Sequence, residues 1–85
     1  MNSIIHTPAQ LSTHLKSLRK ARKLTQEQLG ALIGVKQTRM ADIEKNPGAV
    51  NVAQLLAVLH ALDTRLLLAS VEEVSADVAP GAADW

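Results

Sequence analysis

Lys36, Gln37, Thr38 and Arg39 stand in one unbroken run, and between them they carry an ammonium, a carboxamide, a hydroxyl and a guanidinium, side chains suited to base edges and phosphate oxygens. Such groups act together only if a rigid element holds them out of the core, and the neighbouring residues predict one. Met40 and Ile43 lie three apart, so a helix beginning near Lys36 buries both and leaves Gln37, Thr38 and Arg39 outside.

A second helix is predicted just before it. Thr25 with Gln28 three residues on has the form of a capping box, and Leu24 can staple onto Leu29, so a helix should begin at Gln26. Leu29, Leu32 and Ile33 give it one apolar stripe. Gly34 admits the left-handed backbone that ends a helix sharply, and Val35 can then turn inward. Gly30 has to be small for two helices to cross closely, although Ala would favour the helix itself by about 1 kcal/mol. Residues 25–44 therefore read as a helix-turn-helix with Glu44 as its acidic end. On that reading Lys36, Gln37, Thr38 and Arg39 face base edges, and Thr25 and Gln26 face phosphate. An ordinary helical hairpin would share the caps and the stripe, but it does not call for the polar, basic start of the second helix.

The 85 residues make one small domain, at the low end of what buries a self-sufficient core, and a partner subunit would help. The hydrophobic residues are almost all Leu, Ala, Val and Ile, with no Phe or Tyr and a single Trp, which suits helices. Without cysteine there is no disulfide or thiolate chemistry. No apolar run approaches a membrane span and residues 1–24 lack a signal-peptide core, so a cytoplasmic protein, on the nucleoid when DNA-bound, is expected. The net charge of +1 conceals a division: residues 1–45 hold eight Lys or Arg against three Asp or Glu, and residues 46–85 hold one against five. A basic first half suits a phosphate backbone and an acidic second half does not. Uneven charge can also be only a solvated surface.

Thr7 and Gln10 form another capping box, with Pro8 at the first helical position, so a helix should run to about Arg22 and bury Leu11, Leu15 and Leu18. Lys16 and Arg19 then lie on its other face, as phosphate contacts or as solvated charges. Asn46-Pro47-Gly48 breaks the chain, and Asn51 with Gln54 starts a further helix to about Leu62, with Leu55, Leu56, Leu59 and Leu62 as its stripe. Residues 65–71 are apolar and strand-sized, though their leucines also suit a continued helix. A lone strand needs a partner. The same strand of a second copy would supply it through Leu66, Leu67, Leu68 and Ala69, giving a homodimer that reads two inverted half-sites.

From Glu72 the residues turn small and acidic, ending at Trp85, either an interface anchor or an ordinary terminal residue. The expected fold is mainly α, four to five helices with one C-terminal strand, divided into a domain over 1–71 and an acidic tail over 72–85. His6, His14 and His60 lack neighbours at metal-ligand spacing, and no serine has a base partner or glycine-framed elbow. Neither a metal, a cofactor nor an enzymatic activity is expected.

The stretches TPAQL, LTQEQLGALIGVKQTRMADIEKNP and TRLLLAS, with the acidic end in tryptophan, resemble the HipB antitoxins within the lambda-repressor-like, Xre-type regulators, over nearly the whole chain. That resemblance implies a dimer with paired C-terminal strands, which binds palindromic operators to repress its own operon and holds a HipA-type serine/threonine kinase toxin, with Trp85 as a toxin contact. It places Gln26 on phosphate and Lys36, Gln37 and Thr38 in the major groove. Arg39 departs from the small Thr or Ser of the pattern, which leaves its role open between a phosphate contact and a shifted base preference. A stand-alone repressor without a toxin, and a protein-binding module without DNA contacts, are the other classes such a chain could serve.

Overall fold

The computed structural model describes residues 3–71, so Trp85 and the whole 72–85 tail lie outside the described residues. Helix α1 spans Pro8–Ala21, α2 Gln26–Ile33, α3 Gln37–Lys45 and α4 Val52–Ala61, with a short 3-10 turn over Pro47–Ala49 between α3 and α4.

Local chemistry sets the starts. Thr7 accepts from the Gln10 amide at 3.3 Å while the Gln10 carboxamide takes the Thr7 N–H at 3.1 Å, and Thr25 and Gln28 repeat the exchange at 3.0 and 2.9 Å. Asn51 caps α4 by accepting from the Gln54 N–H at 2.7 Å. Each box satisfies N–H groups that the first helical turn leaves without a partner. Gly34 ends α2 at φ 79°, the left-handed conformation expected of it, and the Val35 N–H returns to the Gly30 carbonyl at 2.8 Å.

The core is Leu15, Leu29, Met40, Ile43, Val58, Leu59 and Leu62, so every helix contributes. Leu11, Leu18, Leu24, Ile33, Val35, Val50 and Leu55 pack around it. Two predicted stripe residues leave the set. Leu32 is 62% exposed and Leu56 is exposed on the flank of α4, whose inward place Val58 takes. Short helices bury a narrow stripe, and a residue one position off its centre line faces water.

Gly30 corrects the propensity argument. A Cβ there would lie 2.7 Å from the Val35 carbonyl oxygen and 3.4 Å from Met40 Cβ, so the α2–α3 crossing excludes Ala despite its helical preference.

Helix α4 does not continue beyond Ala61. Leu62 caps it and Asp63 adopts φ 56°, and the Thr64 N–H closes back on the Leu59 carbonyl at 2.8 Å. Among the described residues no strand is formed. Residues 64–70 are irregular, with Leu66, Leu67 and Leu68 exposed, Leu68 by 94%. The described residues offer this segment no neighbouring strand, so the expected pairing has no counterpart among them.

Candidate nucleic-acid interface

Helix α3 is gripped from inside and open outside. On the inner side Glu44 is fully buried, and its carboxylate receives Arg19 Nε at 2.5 Å, Arg19 NH2 at 3.4 Å and the Gln26 carboxamide at 3.3 Å. Arg19 also donates to the Leu24 carbonyl at 2.8 Å, and the Ser12 hydroxyl donates to the Glu44 carbonyl at 2.5 Å. Among the described residues no buried side-chain polar atom lacks a partner. A buried carboxylate is costly unless paired and hydrogen-bonded, and here it is both.

This takes Arg19 away from the phosphate role expected of it. Its side chain is only 13% exposed and its guanidinium is committed to Glu44 and Leu24. Local spacing does not reveal the pair, because the partners are 25 residues apart. The available signal was Glu44 itself, an acid next to Ile43 on the apolar side of α3.

From Glu44 the network runs outward. Gln26 bonds Glu44 through its nitrogen, and its oxygen accepts from Gln37 Nε2 at 2.8 Å. The first residue of α2 thereby orients the first residue of α3. Gln37 is exposed, as are Thr25, Lys36, Thr38 and Arg39. The Thr25 oxygen is occupied in its cap, though its proton can still be donated. Lys36 is the N-cap of α3 and is exposed there; its ammonium, a donor only, cannot cap the helix and stays available to a ligand. Lys16 is exposed on α1.

Beside Gln37 lies an open groove of about 730 Å³ lined by Val35, Lys36, Thr38, Arg39, Ala41, Asp42 and Lys45. Three of the four residues expected to read bases line it, and Gln37 stands with Gln26 instead. The groove adds Asp42 and Lys45, which sequence reasoning missed. Arg39 NH1 donates to Asp42 Oδ2 at 3.2 Å and Arg39 NH2 to Gln54 Oε1 of α4 at 3.1 Å. The i,i+3 spacing of Arg39 and Asp42 was a readable signal; the reach to Gln54 was not. Among the described residues no group of three His, Asp or Glu could hold a metal ion, and no helix is long and apolar enough to cross a membrane.

Two short helices crossed at a glycine, with the second presenting polar and basic side chains, define the helix-turn-helix class. Residues 15–68 match the helix-turn-helix family, and the chain belongs to it. Within that class its relatives include Antitoxin HipB of Escherichia coli O6:H1, 28% identical over 75 residues that cover 88% of this chain and 80% of the relative. Antitoxin HipB of Escherichia coli K12 is 28% identical over 71 residues, covering 84% and 81%. Among solved structures, HipB in a HipB-O1-O2 complex superposes with a TM-score of 0.74 at 28% identity, covering 81% of this chain and 100% of that one. A HipA-HipB-O2-O3 complex gives a TM-score of 0.75 at 27% identity, covering 82% and 99%. The chain is a helix-turn-helix protein similar to HipB.

Proposed function

We propose that this chain is a DNA-binding antitoxin, which as a dimer binds palindromic operators, represses its own operon and holds a HipA-type kinase toxin. The observation that carries the DNA reading is the 2.8 Å Gln26–Gln37 bond backed by Glu44, since it holds the Gln37 side chain at the exposed start of α3 and so lowers the cost of ordering it on binding. Lys36, Gln37 and Thr38 then read base edges, and Thr25, Gln26 and Lys16 approach phosphates. HipB solved in the HipB-O1-O2 and HipA-HipB-O2-O3 complexes supports DNA and HipA as partners. Uncovered Leu66, Leu67 and Leu68 support pairing of 66–69 between two copies, and Trp85 is the proposed toxin contact.

The test is a mobility shift on the DNA upstream of the chain's own gene, at several salt concentrations. Log affinity should fall by about 0.9 per contacted phosphate per log unit of salt, and Lys36→Ala should cost about 1–3 kcal/mol and relax preference at one base pair. Binding indifferent to both salt and Lys36 would refute the assignment of α3. Co-purification with the neighbouring gene product, with and without residues 83–85, tests the antitoxin half separately; equal capture of a kinase by both forms would remove Trp85 from the contact.

A further inference from the structure

A carboxylate on a surface that meets a polyanion is repelled unless it points elsewhere or is neutralised and used. Asp42 does not point elsewhere. It lines the same groove as Lys36 and Thr38 and its side chain is 66% exposed. It is neutralised, by Arg39 at 3.2 Å, and Arg39 is held from its other side by Gln54 at 3.1 Å. Two elements, α3 and α4, therefore fix where this carboxylate stands.

We propose that Asp42 is a specificity-determining residue that reads a cytosine amino group in the major groove, with Arg39 and Gln54 as the residues that neutralise and position it. This rests on the DNA reading of α3. The bond to Arg39 uses Oδ2 and leaves Oδ1 to accept. In the major groove only cytosine N4 and adenine N6 donate, and adenine sets the acceptor N7 beside its amino group, which a carboxylate disfavours; cytosine does not. Arg39 keeps the acid tolerable near phosphates, since the pair together carries no net charge, and its partners make it a positioning residue more than a phosphate contact.

The experiment measures binding of the full chain to duplexes in which each base pair of its operator half-site is varied, at two salt concentrations. Asp42→Ala should erase a preference for C at one position, a loss of roughly tenfold in discrimination. Asp42→Asn should redirect that position towards adenine, which a carboxamide pairs at N6 and N7. Arg39→Ala should weaken binding to all sequences by leaving Asp42 unneutralised, and Arg39→Ala combined with Asp42→Ala should recover most of the loss. An unchanged base profile in Asp42→Ala would overturn the proposal. So would an equal loss in Arg39→Ala and the double variant with a salt slope flatter by about one, which marks Arg39 as a phosphate contact. Lys36→Ala run alongside separates the two levels: if it loses base preference while Asp42→Ala does not, α3 reads DNA and only the role of Asp42 fails.

Discussion

Helix α3 carries two arginine–carboxylate pairs that face opposite ways. Inside, Glu44 is fully buried with Arg19 at 2.5 Å, supported by Gln26. Outside, Asp42 meets Arg39 at 3.2 Å with both side chains exposed. The residue types are the same and the energetics are not. The inner pair gave up hydration and recovers it only through a complete set of bonds, so its effect is to permit one arrangement of α1, α2 and α3. The outer pair gave up almost nothing and contributes little to folding. A stable domain needs the first; a ligand can use the second.

The comparison breaks first at Glu44. Glu44→Ala, which strands Arg19 without its partner, should cost about 3–5 kcal/mol of folding stability in urea denaturation. A loss within the range of a surface pair would mean that the inner carboxylate is not enclosed as described. Gly30→Ala comes next, because the added Cβ meets backbone at 2.7 Å and forces α2 and α3 apart. Overpacking of this kind costs about 1–3 kcal/mol, against about 1 kcal/mol of gained helix propensity, so the thermal midpoint should fall; a rise would show that the crossing has slack. The smallest effect is expected outside. Asp42→Ala should change stability by about 0.5 kcal/mol or less, and a larger loss would make the outer pair structural and erase the contrast.

What was legible in the sequence was local. Thr7, Thr25 and Asn51 announce three helix starts, and Gly34 a helix end, because each acts within four residues along the chain. Leu15, Leu29, Met40 and Ile43 follow from helical spacing, whereas Leu32 and Leu56 show that spacing marks the centre of a stripe and not its width. The polar run at residues 36–39, whose four side chains the structure leaves exposed, was visible in the sequence. What orients it was not, since Gln26–Gln37, Arg19–Glu44 and Arg39–Gln54 join residues 11, 25 and 15 apart. The need for a small residue at Gly30 was legible but how tight the site is was not: propensity is a property of one helix, and the Val35 oxygen belongs to the turn beyond it.

The length of α3 limits how much information it can carry. Its nine residues rise about 13.5 Å, which at about 3.4 Å per base pair spans roughly four base pairs. On the proposed DNA reading, a word of four letters recurs by chance every few hundred base pairs, while a genome offers on the order of a million or more competing positions. The proposed dimer, reading about eight, would still meet chance matches many times over. A unique address for such a protein is therefore longer than its side chains can spell. The remaining letters have to be supplied by the stiffness and groove width of the DNA between half-sites, or by repeating the word in tandem.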